Sequence, residues 1–180
     1  MSSLVDHALA DRLHERLLGK PLVGNAFRGT LVEAMLSLAL EPEWRWCADG
    51  WGSFDFEGPN GVGLEVKQSA ARQDWHDGSS RPNCGRFDIA ERTGRWEGNT
   101  WIPGKGRAAE LYVFAWHPIF DPVVADHRAA SQWQFYILHA SALPNQKSLS
   151  LGRIKEMTKP VGIEEIRDCL NSLGIPSGSR

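Results

Sequence analysis

The chain has little cysteine. Cys47, Cys84 and Cys169 are far apart and odd in number. No Cys/His pair with zinc-ligand spacing accompanies them, which argues against both a disulfide framework and a structural zinc. Long apolar runs are also missing, with none near the ~20 residues that cross a bilayer. Residues 1–16 carry Asp6, Asp11 and Glu15 with no unbroken apolar stretch, so no secretory signal is expected and cytoplasm is the expected location. Nor is there a surplus of one charge. Twenty Lys and Arg face 22 Asp and Glu, a net charge of −2, so the chain as a whole is no polycation gripping nucleic acid by charge alone.

What is present is ordinary globular composition: 180 residues, 42% hydrophobic and 23% charged, enough for one domain. The charge is unevenly spread. Residues 1–66 hold 5 basic and 10 acidic residues, whereas 67–107 hold 8 basic and 5 acidic. That asymmetry allows an anion-binding face beside an acidic pocket, and a mixed solvated surface explains it equally well. Eight tryptophans are expected to serve mainly in packing.

Val5, Leu9, Leu13 and Leu17 predict a helix over 4–18, with Ser3 and Asp6 as a capping pair and Gly19 as its stop. Residues 30–40 predict a second helix, apolar nearly all round and deeply packed, with Thr30, Glu33 and Ser37 on one stripe. Strands are expected at 44–48, 53–57, 63–68, 84–90, 110–117 and 132–140. The last two are nearly continuous in apolar character, as central strands are. Residues 69–76 read as a short helix or extended turn, 91–107 as a long loop, and 163–173 as a final helix.

Alternation constrains the hairpin around Gly58–Gly61. Pairs whose numbers sum to about 120 set Asp55 opposite Glu65 and keep Phe54, Phe56, Leu64 and Val66 on the other face. Lys67 then lies one step along the polar face. Two carboxylates on adjacent strands are the hard oxygen ligands a magnesium ion accepts. A bound ion activates water and neutralises phosphodiester charge, and a nearby ammonium stabilises developing negative charge. A polar hairpin face with a Lys67 salt bridge accounts for the same spacing.

Asp55, nine residues, then Glu65-Val66-Lys67 resembles the PD-(D/E)XK, or restriction-endonuclease-like, nuclease motif. The preceding helix with Glu33 is similar to the helical glutamate of many members. The run from Leu64 to Ala70, followed by Gln73 and Trp75, resembles an uncharacterised bacterial branch of that superfamily. Arg28-Gly29, Arg86-Phe87-Asp88-Ile89, residues 112–117 and residues 132–136 fit the same branch, so the resemblance spans roughly 25–140. One departure is Ser53-Phe54 where a proline often precedes the aspartate.

The resemblance implies a single α/β nuclease-like domain over 1–180, with a mixed central sheet flanked by helices. It implies Mg2+ (or Mn2+) and hydrolysis of DNA phosphodiesters. Asp55, Glu65 and Glu33 become metal ligands, with the Val66 backbone carbonyl beside them. Lys67 becomes the catalytic lysine, and Gln73 orients the lysine or a phosphate. Gln68, on the apolar face, reads as a buried hydrogen-bonding residue. Arg72, Arg86, His117, His127 and Arg128 are candidate substrate contacts. Arg81, Arg92, Arg95, Lys105 and Arg107 are further phosphate candidates. Trp75, Trp96 and Trp101 could stack on unpaired bases, or simply pack. DNA is the expected partner, with no membrane and a possible homodimer. The alternatives are a non-catalytic DNA-binding or assembly protein on a nuclease fold, and a small-molecule hydrolase or binding protein.

Overall fold

The structure is a computed structural model that describes residues 4–47, 52–97 and 100–173. Two helices open the chain, α1 (Leu4–Leu18) and α2 (Asn25–Leu40). Short strands β1 (Arg45–Trp46) and β2 (Phe56–Glu57) lead into the long β3 (Gly63–Ala70). After β4 (Arg86–Asp88) comes a hairpin of β5 (Arg92–Glu97) and β6 (Thr100–Gly106). Next come β7 (Leu111–His117), β8 (Gln134–His139), β9 (Ser148–Ser150), α3 (Leu151–Met157) and α4 (Ile166–Ser172).

The central sheet has the order β1-β2-β3-β7-β8. It is mixed: β3 and β7 run parallel, and every other neighbouring pair is antiparallel. The architecture is therefore α/β with a mixed sheet. β7 lies between two partners and is buried along its whole length, which its unbroken apolar run requires. Leu111, Val113 and Ala115 face α2 and α4 in one core with Leu64, Val66, Val32 and Leu36. Tyr112, Phe114 and Trp116 face the opposite core, with Phe87, Leu149, Leu151 and Ile154. A sheet covered on both faces follows from strands whose side chains alternate between two apolar layers.

The expected hairpin register is the observed one. Phe56 pairs with Leu64 and Glu57 with Gly63, both summing to 120. The pairing is shorter than expected, because regular strand begins only at Phe56, and Phe54, expected on the face of Phe56, packs instead against the opposite core with Tyr112 and Phe114. The strands expected at 110–117 and 132–140 lie side by side in the sheet with β3.

Several elements differ from expectation. The second helix starts at Asn25 rather than 30, and Arg28 is buried in its first turns. It is not packed all round, since Phe27 and Leu38 are exposed. The span 69–76 is neither helix nor separate turn at its start: β3 runs on to Ala70, held by β7 as far as the Ala70–His117 pair. Residues 91–107 form a two-stranded ribbon, not a loop. Its glycines and isolated aromatics mask strand alternation, while cross-strand pairs such as Trp96–Trp101 hold it. The final helix opens with a 3-10 turn at Ile163–Glu165. β9 and α3 have no clear sequence period because each is short. In α1 the helix matches 4–18, yet Leu9 and Leu13 on its apolar stripe are half exposed. Ser3 of the expected capping pair and Ala48 of the strand expected at 44–48 lie outside the described residues.

Val113 sits fully buried on the central strand. Val113→Asp leaves a charge without a partner there, at a cost of several kcal/mol. The variant is expected to lose cooperative thermal unfolding, as read by circular dichroism.

Candidate functional site

Because β2 is only two residues long, β3 outruns it, and among the described residues the edge of β3 beyond Leu64 has no backbone partner on that side. Asp55 occupies that edge. Its N–H donates to the Leu64 carbonyl at 3.0 Å, and its Oδ2 accepts the Val66 N–H at 2.6 Å. A side chain thus continues the ladder where the backbone stops. In a strand the N–H and C=O of one residue point to the same edge, so the Val66 carbonyl faces the Asp55 side as well.

Glu65 and Lys67 point away from α2 and α4, on the face shared with their β7 partners Tyr112 and Phe114. The Lys67 ammonium donates to Glu65 Oε1. Glu33 comes from α2, in the layer on the opposite face, and its Oε2 accepts the Trp46 indole N–H at 3.1 Å. Asp55 stands between the two layers and feels both acids. Burial, then the Glu65 carboxylate, push its carboxyl up to about 7; the Val66 N–H opposes this, Glu33 adds to it and Lys67 opposes it.

Asp55, Glu65 and Lys67 line one cavity of about 550 Å³, between the sheet and the β5–β6 ribbon. Tyr112, Trp96, Trp101 and Arg107 form walls. Burial, then Glu65, push the Tyr112 phenol up to about 12, so it stays neutral. Glu33 does not line this cavity and reaches the site only through its field on Asp55.

The motif implies a divalent ion, and the donors fit one. Asp55 and Glu65 are oxygen donors of the kind a divalent ion takes, and the Asp55 carboxyl, half-buried and raised by Glu65 and Glu33, gains from a cation there; Lys67, Arg92, Lys105 and Arg107 line the same cavity. Among the described residues no three His, Cys, Asp or Glu side chains are grouped to hold a metal unaided. Magnesium, which keeps several waters and uses one or two carboxylates, does not require such a group.

The remaining candidates lie elsewhere. Gln73 is buried; its amide N–H donates to the Ala70 carbonyl at 2.8 Å, and its carbonyl accepts from Arg28 at 2.7 Å. It orients Arg28, with no bond to Lys67. Gln68 is half-buried on the helix face and accepts from Arg28 Nε at 2.6 Å, and Asn25 accepts a third bond from the same guanidinium. Arg28 was read only as part of the resemblance, yet it organises this network. Burial lowers it to about 10, with Asp74 opposing. A solvent-facing helix start is the usual reading of such a residue, and only tertiary packing reveals otherwise. Arg86 lines a second cavity with Arg28, Gln73 and Lys67, and donates to Ser148 Oγ.

Four candidate substrate contacts make bonds within the scaffold instead. Arg72 is buried, bonded to the Phe120 and His76 carbonyls and packed on the Phe120 ring. His117 and His127 are fully buried, their rings 4.9 Å apart against Trp133. His117 Nε2 meets Gln132 and the Asp126 carbonyl. His127 Nδ1 accepts the Val23 N–H, so its Nε2–H donates to the Arg72 carbonyl. Arg128 pairs with Asp126 and caps the Leu18 carbonyl. A phosphate cannot reach the two imidazoles or Arg72 without opening the core.

Comparison of the chain with protein-family models, with curated proteins and with solved structures finds no match.

Two stability trends follow from these environments. Asp55 is raised in the fold, so the protein is favoured below the ordinary carboxyl value and loses that advantage as pH climbs through about 7. Without metal, Asp55→Asn is therefore expected to raise the melting temperature, by several degrees at pH 8 and less at pH 5. Scanning calorimetry in EDTA measures it. Burial, then Arg28 and His117, lower His127 to about 4, so its neutral form favours the fold above pH 6.5, and that stability drains away as pH falls towards 4. In the Asp55→Asn background the melting temperature is expected to drop across that interval, and His127→Gln flattens the drop.

Proposed function

We propose that the protein is a metal-dependent nuclease that hydrolyses DNA phosphodiester bonds on a restriction-endonuclease-like fold. The observation that carries this reading is the shared cavity of Asp55, Glu65 and Lys67, reached through the hairpin register in which the paired numbers sum to 120. A mixed sheet with α2 and α4 on one face and α3 on the other agrees with it.

In this reading Asp55 and Glu65 hold the ion, with the Val66 carbonyl beside them and Glu33 contributing through water or charge. A magnesium or manganese ion bound there supplies a water of lowered pKa and neutralises phosphate charge. Lys67 leaves its Glu65 partner to meet the charge that develops on the phosphoryl oxygens. Val66 N–H fixes Asp55 in place, so the carboxylate does not have to be ordered when substrate arrives. Gln73 acts at a distance, holding Arg28 and so the start of α2.

The test is cleavage of plasmid, duplex and single-stranded oligonucleotides with magnesium. Lys67→Ala is expected to fold and bind manganese normally while cleavage falls by ~10²–10³. Asp55→Asn is expected to lose manganese affinity together with activity, as measured by calorimetry. Cleavage by Lys67→Ala at the parent rate would reduce the lysine to a salt-bridge partner and remove the main support for the reading.

A further inference from the structure

The β5–β6 ribbon has features that packing alone does not require. Trp101 and Trp96 meet edge to face, with ring centroids 5.4 Å apart. Gly94 lies directly beneath the Trp101 indole, where a Cβ would sit 2.6 Å from its Cε2. The glycine therefore lets the ring lie flat on the ribbon backbone. Despite that seat, Trp101 is 44% exposed, and both indoles line the cavity that holds Asp55, Glu65 and Lys67. An indole fixed on one side and open on the other, facing a cavity, is a preorganised stacking surface.

The acids below are recessed. Glu65 and Lys67 side chains are 21% and 23% exposed. A cavity of about 550 Å³ falls within the range of small-ligand pockets of ~300–1,000 Å³. That is room for a nucleotide or two, not for a paired helix. A duplex also keeps its base faces stacked on one another, so it offers no ring to Trp101. Arg107 lines the same cavity with its guanidinium fixed by the Ile89, Leu143 and Pro144 carbonyls, and Arg92 and Lys105 line it too, paired with Asp88 and Glu91. Aromatic face, fixed cation and recessed acids together suit an unpaired strand.

We propose that the ribbon cavity binds unpaired DNA, with one base stacked on Trp101 and the backbone led down to Lys67, so that single strands or frayed ends are the substrate class. This rests on the nuclease reading for the chemistry, but the binding half is independent of it.

The experiment measures binding in EDTA, where no metal-dependent cleavage intervenes. A short fluorescein-labelled single strand and the same strand annealed to its complement are titrated with the full chain, and fluorescence anisotropy is read. Tight binding of the single strand, quenching of tryptophan emission and much weaker binding of the duplex are expected. Trp101→Ala is expected to weaken single-strand binding roughly 5- to 150-fold, as loss of one stacked base does. Gly94→Val keeps the tryptophan but displaces its ring, and is expected to weaken binding as well; matching melting temperatures show that both variants fold. Equal binding of the two DNAs, no binding of either, or parent affinity in Trp101→Ala overturns the proposal. Selective single-strand binding without cleavage in magnesium would instead overturn the nuclease reading and leave the binding surface standing.

Discussion

The hydrogen bond from the Val66 N–H to Asp55 Oδ2 is the point on which the candidate site depends. It exists because regular pairing in β2 begins only at Phe56, which leaves β3 beyond Leu64 without a backbone partner on that edge among the described residues. A backbone donor on a largely buried strand needs an acceptor, and Asp55 supplies one. That one bond fixes the carboxylate at the boundary between the two layers of the protein. The acids of both layers then act on it, Glu65 from the ribbon side and Glu33 from the helix side.

Burying like charges together lowers the stability of the fold unless a cation or a proton compensates. Asp55 therefore stays near the point where it exchanges a proton around neutral pH. Elsewhere most buried polar groups are tied into the scaffold, although Trp44 Nε1, Arg72 Nε and His117 Nδ1 are without a hydrogen-bond partner among the described residues. Arg28 has three amide partners, and His127 is tied at both nitrogens. The contrast separates two kinds of buried polarity: groups locked into the scaffold, and carboxylates left with capacity for something else.

The sheet frames that contrast. β7 carries one core on each face, so the strand beside it, β3, must also present two different faces. Leu64 and Val66 complete the helix-side core, and Gln68 meets Arg28 on that side. Glu65 and Lys67 fall on the other face, at the margin where the apolar layer stops and the ribbon begins. The candidate site sits where the second layer is incomplete.

Strand alternation was enough to determine the hairpin register, because a slip of one residue would have buried Glu65 and Lys67 among the helices. Continuous apolar runs likewise marked β7 and its neighbour β8. Glu65 and Lys67 were legible for the same reason, because local period decides which face a strand side chain takes; Asp55 instead lies at the edge of β3, where its bond to the Val66 N–H and not period sets its direction. The roles of Arg72, His117 and His127 were not legible. Whether an arginine or histidine meets solvent or a carbonyl depends on segments far apart in the chain, as in the bond from Val23 to His127. The ribbon was hidden as well, since its pairing comes from cross-strand contacts rather than period, and only its position over the sheet encloses the cavity. Sequence determined the faces; tertiary structure decided which polar groups were locked and which remained open, because burial and partners are set by the whole fold.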